Sequence, residues 1–333
     1  MTWEARQHQR FHVTPTEANV NEISGKATLI GTWQVRLAWS PRSRRILTAT
    51  SLDHKLSEWN NPYVASTEDL RFTPRLLTKP FPRGLAVETT LQHFVIVTYW
   101  VDQSSLRHLI HSRFEPVCLA ANGRSQRALV SVVTFLDRDF RFAGCPYFKA
   151  SFGQTNYRAY VQDTETGEQA AWFFGTCLDS VSVVIPRYLW RLPWYRARME
   201  FDCRYDQAAA RYSTFNVRTQ SYWAPARLAV EDSGEAPVEL AGVSNLEAGL
   251  VLLTHPMRGY FYRRDAALGS YTIWHDRTLP TVGIIQEASY PLLQRLGLVD
   301  DGDQRDIHSV LLQRNIDFTI YLPPSRVKTK SPG

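Results

Sequence analysis

The chain has 333 residues, 44% of them hydrophobic and 12% aromatic, enough to build a core and to exclude disorder of the whole chain. No apolar run approaches the roughly 20 residues of a membrane span, and "MTWEARQHQRFH" lacks the apolar stretch of a secretory signal, so a cytoplasmic location without membrane partners is expected. The net charge of +6 is carried by scattered arginines with no lysine-arginine block, so no nucleic-acid partner is expected either.

Residues 1–65 are polar and weakly patterned, with one apolar island in "ATLIGTWQVRLAW", and read as a weakly packed or partly disordered extension. A third reading is a native start near Val64. From residue 66 the pattern sharpens into one domain, expected to run to 325 and to end in a polar tail over 326–333.

In chain order, "TTLQHFVIVTYWV" is β-branched and aromatic enough for a strand. Asp102 caps an expected helix over "QSSLRHLIHSRF", with Leu106, Leu109, Ile110 and Phe114 on one face. "RALVSVVTFLD" is a further strand, and "QTNYRAYVQD" with "QAAWFFGTCLD" reads as a hairpin about "TETGE". Pro186 opens a short helix "PRYLWRL". Five short aromatic or β-branched strands follow, then a helix at "ASYPLLQRLG" and a last strand "DFTIYL". Many consecutive strands with few helices argue for a mainly β, antiparallel barrel or curved sheet with a few packed helices.

The hairpin holds the main functional signal. Gln154, Asn156 and Arg158 alternate along one strand, so their side chains share a face. Paired symmetrically about the turn, Arg158 faces Phe173, Asn156 faces Gly175 and Gln154 faces Cys177. The partner strand is then apolar on both sides, which predicts burial on both sides. A buried guanidinium needs an anion or several acceptors. Two partners satisfy that need: an internal carboxylate from Asp137, Asp139, Glu200 or Asp202, or a ligand carboxylate or phosphate gripped by the guanidinium and oriented by the two amides. Gly175 would leave room beside them.

A second hairpin, "THPMRGYFYRR" with "GSYTIWHDR", offers His255, Arg258, Tyr260, Tyr262, His275 and Asp276. Arg258 and Tyr260 would complete a cavity wall opposite Arg158, or tyrosine and arginine would merely line a wet rim. His108 and His111 stand at helical spacing without a third ligand type nearby, so no metal is expected. The four cysteines lie far apart and read as buried small hydrophobes. Nucleotide, serine-hydrolase and zinc-protease motifs do not occur, and no cofactor is expected.

The stretch "LVSVVTFLDRDFRF", "FGQTNYRAYV", "AAWFFGTCLDS" and "IPRYLWRLPWYRARM" resembles the YqjF-like family of the acetoacetate decarboxylase-like superfamily, over about Arg83 to Pro324. The resemblance implies a β-barrel or cone around a small-molecule cavity. Decarboxylases of that superfamily form a Schiff base through a lysine whose pKa is lowered by a second lysine. Here Asn156 and Arg158 stand where that pair is expected, and Lys149 is the single lysine between Pro80 and Val327. Arginine stays protonated and cannot be the nucleophile.

The expected function is therefore binding of a small organic acid by Gln154, Asn156, Arg158, Phe173, Gly175 and Arg258, with Arg158, Tyr160 and Tyr260 as candidate catalytic groups if a reaction follows. Tyr160 or Tyr260 would be the proton donor. The alternative is a non-catalytic structural or protein-interaction module with Arg158 neutralised internally. A homo-oligomer is compatible with both.

Overall fold

A computed structural model of the protein describes residues 70–121, 126–300 and 306–328. The extension expected over 1–65 and the end of the polar tail lie outside the described residues. The strands are β1 (Val87–Val101), β2 (Phe114–Pro116), β3 (Cys118–Leu119), β4 (Arg127–Phe142), β5 (Cys145–Asp163), β6 (Gln169–Leu178), β7 (Trp194–Arg196), β8 (Arg198–Asp206), β9 (Arg211–Gln220), β10 (Ala226–Asp232), β11 (Arg258–Tyr262), β12 (Leu268–His275), β13 (Thr281–Ser289) and β14 (Ile307–Arg326). Among the described residues five short α-helices accompany them: α1 (Pro74–Leu77), α2 (Gln103–Arg107), α3 (Val184–Leu189), α4 (Leu246–Thr254) and α5 (Pro291–Arg295).

Hydrogen bonding runs β1-β4-β5-β6-β11-β12-β14, and β14 returns to β1, with Val87 opposite Ile320 and Val97 opposite Val310. These strands close into a ring, which removes the sheet edges. The neighbours are antiparallel except β6 and β11, which run parallel with Phe173 opposite Phe261. From β14 the sheet continues through β13 and β10 to β9 and β8. That outer sheet covers β5. A Cβ on Gly153 would stand 2.7 Å from the Phe201 ring and 3.0 Å from Met199 of β8. Val97, Tyr157, Ala159, Phe215, Val217 and Leu228 fill the layer between ring and outer sheet.

The middle of β5 is therefore buried on both faces. Tyr157, Ala159 and Val161 enter the layer under the outer sheet, and Gln154, Asn156, Arg158 and Tyr160 point the other way. In β1 a bulge at His93, where φ is +53°, inserts one residue so that Leu91 and Phe94 both face inward. His93 turns outward and contacts Tyr212 of β9, Nδ1 to Oη at 3.0 Å.

Sequence and structure differ at several elements; β13, for one, is passed over by the sequence reading, and three further differences bear on the site. The helix expected over 103–114 stops at Arg107. Asp102 caps it as expected, accepting from Ser105 N–H at 3.0 Å, but Phe114 is drawn into β2, opposite Asp163 of β5. The last strand is longer than "DFTIYL", because 20 residues are needed to reach from β13 past β1 to β12. Finally, "LEAGLVLLT" forms α4, which the sequence reading passes over. Asn245 caps it through Ala248 N–H at 2.8 Å, and its residues from Ala248 to Thr254 are buried. No described helix is long and apolar enough to cross a membrane.

Candidate functional site

The ring encloses a narrow cavity with about 40 Å³ of water-accessible space. Its wall is mainly apolar, with Leu91, Phe94, Phe135, Phe173, Ile316 and Phe318 among the lining residues. Seven side chains with polar or charged groups interrupt that surface: Asp137 of β4, Gln154, Asn156 and Arg158 of β5, Thr254 of α4, and Tyr271 and His275 of β12. A mostly apolar pocket with a few convergent polar groups is the common form of a small-molecule site.

The β5 row is ordered by its own hydrogen bonds. Gln154 Nε2 donates to Asn156 Oδ1 at 3.0 Å, and Thr176 Oγ1 donates to the same oxygen at 2.7 Å. The Asn156 amide is thereby oriented with its oxygen turned to protein and its NH2 left to the cavity side. Arg158 is 6% exposed and makes no ion pair among the described residues. Its Nη2 donates to the carbonyl of Leu253 at 2.6 Å, and its Nε has no hydrogen-bond partner among the described residues.

Leu253 lies in the last turn of α4, so Arg158 faces the negative end of a helix dipole. Tyr160 Oη donates to the same carbonyl at 3.1 Å, and His275 Nε2 lies 2.7 Å from the carbonyl of Thr254. Two carbonyls of this helix end, those of Leu253 and Thr254, are thus satisfied by side chains from the ring. The half charge of a helix terminus offsets only part of a guanidinium, so positive potential remains at this end of the cavity.

Burial pushes the His275 imidazole down from its ordinary pKa; the Asp276 and Thr254 carbonyls oppose the shift and Arg158 adds to it. His255 packs against His275 with ring centroids 4.1 Å apart and the planes tilted by 53°, and is pushed down to about 2, by burial first and His275 second. At the other end of the cavity, burial raises Asp137 to about 7 against the opposing hydrogen bond from Thr89.

Of the residues singled out from sequence, Gln154, Asn156, Arg158 and Phe173 come together on the cavity wall. Gly175 does not. A bulge between Tyr157 and Arg158 sets Gly175 opposite Tyr157 and Thr176 opposite Asn156, so the symmetric register holds only up to Arg158 and Phe173. Gly175 instead makes room for Trp223, whose ring would lie 2.6 Å from an added Cβ.

Tyr160 follows Arg158 on the same face, but Leu253 O and Ser131 Oγ, at 2.7 Å, engage its hydroxyl. Arg258 and Tyr260 stand apart from the cavity rather than opposite Arg158. Tyr260 packs on Phe114 and its hydroxyl donates to Asp163 at 3.3 Å, while Arg258 pairs with Glu168 at 3.6 Å. Among the candidate internal carboxylates, Asp139 pairs with Lys149 at the surface, and Glu200 and Asp202 pair with Arg198 and Arg204. Asp137 does line the cavity, but six residues of strand from the Arg158 level. Thr254 was missed because α4 was missed; Asn245 before a short apolar run with Glu247 in its first turn was the available signal.

Residues 88–311 match the DUF2071 family model, described as an uncharacterized conserved protein. The chain belongs to the DUF2071 family. No curated protein matches it. An acetoacetate decarboxylase-like enzyme from Sphingomonas wittichii RW1 is similar in structure at 12% identity, with a TM-score of 0.51 over 78% of this chain and 99% of that one. An acetoacetate decarboxylase from Legionella pneumophila is similar at 13% identity, with a TM-score of 0.48 over 76% and 94% of the two chains. The enduracididine biosynthesis enzyme MppR complexed with pyruvate gives 11% identity and a TM-score of 0.48 over 75% and 92%. The fold of this DUF2071 member is mainly β and acetoacetate decarboxylase-like, as the sequence resemblance implied.

Proposed function

We propose that this DUF2071 protein binds a small organic acid in its barrel cavity, with Arg158 holding the carboxylate and Gln154 and Asn156 fixing its orientation. The observation that carries the reading is the state of Arg158: a guanidinium 6% exposed on a cavity wall, with one of its nitrogens bonded to a carbonyl and no carboxylate against it among the described residues. A carboxylate presents two acceptor oxygens to the remaining N–H groups and completes the neutralisation that the helix end begins. A monoanion fits better than a phosphate dianion, because the α4 carboxyl-terminal dipole repels the second charge and the rest of the wall is apolar.

Schiff-base chemistry has no support at this site. No lysine is among the lining residues, and Lys149 pairs with Asp139 at 3.0 Å, half exposed. If a reaction occurs, Arg158 acts as the electrostatic anchor rather than as a nucleophile. The reading keeps the protein in the cytoplasm, acting without membrane or nucleic acid. Two observations speak against a purely structural module: the cavity beside Arg158, and the lack of an ion pair to it among the described residues.

The test is a thermal-shift screen of purified protein against small carboxylates, keto acids and phosphates, with Arg158→Gln in parallel. At about a hundred times its dissociation constant a carboxylate stabilises the native state by roughly 2.7 kcal/mol. The shift is expected for carboxylates and is lost in Arg158→Gln. Equal shifts in both proteins, or none with any carboxylate, would overturn the assignment.

A further inference from the structure

The cavity has a second polar end. Asp137 is 1% exposed and lies opposite Phe152, whereas Arg158 lies opposite Ser131. Six residues from 131 to 137 place the two levels about 20 Å apart along the strands, before side chains shorten the gap. Between them the wall carries Val133 and Phe135 of β4, opposite Asn156 and Gln154 of β5, with Phe94 of β1, while Leu91 and Ile316 stand at the Asp137 level.

The hydrogen bonds around Asp137 accommodate a neutral acid. Thr89 Oγ1 stands 3.1 Å from Asp137 Oδ1 and 3.0 Å from the backbone carbonyl of Arg138. A hydroxyl has one proton to donate, and a carbonyl can only accept. When Thr89 donates to Arg138 O, Asp137 must supply the proton in its own contact with Thr89. The carboxyl is then a neutral acid with its hydrogen on Oδ1, and every group in the chain is satisfied. An ionised carboxylate would instead compete with the carbonyl for the single threonine proton. The other oxygen, Oδ2, is left as a buried carbonyl-type acceptor with no partner among the described residues. No ion pair neutralises Asp137 among them either.

We propose that Asp137 Oδ2 reads the far end of the ligand, so that the ligand class is an extended acid carrying a hydrogen-bond donor, a hydroxyl or an ammonium, at the end opposite its carboxylate. This rests on Arg158 holding the carboxylate. An unsatisfied buried acceptor costs stability, and a donor delivered by the ligand recovers that loss. A ligand that is apolar at this end leaves it uncorrected, which makes Asp137 a specificity-determining residue.

Straight-chain acids of about six to ten carbons cover the separation set by the strand spacing. Each length is measured by calorimetric titration in three forms: unsubstituted, ω-hydroxy and ω-amino. At the matching length the hydroxy or amino acid is expected to bind roughly tenfold tighter than the unsubstituted one, the worth of one recovered hydrogen bond. Asp137→Asn keeps an acceptor oxygen and an amide that can donate to Thr89, so it reproduces the neutral acid and retains both preferences. Asp137→Leu abolishes both preferences while leaving the unsubstituted acid bound.

Equal affinity for the three forms at every length overturns the inference, as does a preference that survives in Asp137→Leu. Should the leucine variant fail to fold by circular dichroism, the asparagine variant decides: loss of the hydroxyl preference in a folded Asp137→Asn, which keeps the acceptor, overturns it. If unsubstituted acids bind and depend on Arg158 but the far group has no effect, this inference falls alone. If no acid binds, or Arg158→Gln binds as wild type does, the carboxylate assignment falls and takes this one with it.

Discussion

The guanidinium of Arg158 and the imidazole of His275 converge on one helix end: Arg158 Nη2 meets Leu253 O at 2.6 Å, and His275 Nε2 meets Thr254 O at 2.7 Å. The guanidinium cation and the imidazole share the negative end of α4, and the charge of Arg158 adds to the burial that holds the His275 pKa down. His275 Nδ1 also faces a carbonyl, that of Asp276, at 2.7 Å. A neutral ring has one N–H for two acceptors.

The first prediction concerns that ring. Burial is the largest cause holding its pKa down, and Arg158 contributes in the same direction. Removing the guanidinium in Arg158→Gln should therefore move the His275 titration upward, as should a bound carboxylate that cancels the arginine charge. Histidine Cε1–H shifts followed by NMR give the midpoint. A midpoint identical in wild type and Arg158→Gln would show that the two groups are not coupled.

A second prediction follows from Asp137. Its folded pKa is raised to about 7 by burial, against an ordinary value of 3.8. With the folded pKa raised, the unfolded chain gives up its proton first, so stability is present in full below pH about 4 and is lost as pH rises toward 7. Asp137→Asn has no such titration and keeps the neutral hydrogen bonds. Its stability relative to wild type should rise between pH 4 and 7 by up to about 4 kcal/mol, taken from roughly 1.36 kcal/mol per pKa unit. The histidine contributions are common to both proteins and drop out of the difference. Urea unfolding of the two proteins at pH 4, 5.5, 7 and 8 measures it; a difference that stays flat with pH would rule out a protonated Asp137.

Much of this was legible in the chain, and what was not has identifiable causes. The inward row of Gln154, Asn156 and Arg158 could be read because strand periodicity puts alternate residues on one face, and because the apolar partner strand excluded solvent. The bulge after Tyr157 could not be read, since one inserted residue in a strand pair leaves no mark on composition or periodicity. That single residue decides that Thr176, not Gly175, meets Asn156. Helix α4 was lost to another ambiguity: a nine-residue apolar run fits a buried strand or a buried helix equally. With it went the partner of Arg158, because Leu253 O belongs to the helix end rather than to any side chain that sequence could nominate. Asp137 was visible as a carboxylate near the site; its isolation from Arg158 depends on strand register alone.

The bulge yields a third prediction. A Cβ at Gly175 would meet the Trp223 ring at 2.6 and 2.8 Å and the Pro193 carbonyl at 2.9 Å, distances that demand movement of a ring and a backbone segment. Trp223 is itself stacked on Tyr195 with centroids 4.2 Å apart, which limits where it can go. Gly175→Ala should cost about 1–3 kcal/mol of stability, as overpacking in a core does. Because residue 175 faces away from the cavity, the variant should bind acids as wild type does. A variant of full stability with altered binding would return Gly175 to the site.

The last prediction separates Tyr260 and Arg258 from the cavity chemistry. Both belong to a cluster around Asp163, a fully buried carboxylate held by Arg113 through two hydrogen bonds, Nε to Oδ1 at 2.8 Å and Nη2 to Oδ2 at 2.6 Å. Arg113 also pairs with Glu165 at 2.9 Å, and Tyr260 adds its hydroxyl to Asp163 at 3.3 Å. The hydrogen bonds and charge of Arg113 and the N–H of Glu165 outweigh the burial penalty, so the Asp163 pKa is lowered. This pair ties the β2 side of the ring to the end of β5. Arg113→Leu strands a buried charge and should cost about 3–5 kcal/mol, whereas Arg113→Leu combined with Asp163→Asn removes the charge and should recover most of it. Acid binding at Arg158 should be unchanged wherever the variants remain folded. Additive losses in the double variant, measured by urea unfolding, would mean that Arg113 and Asp163 do not act as a pair; loss of binding in a folded variant would place this cluster in the site after all.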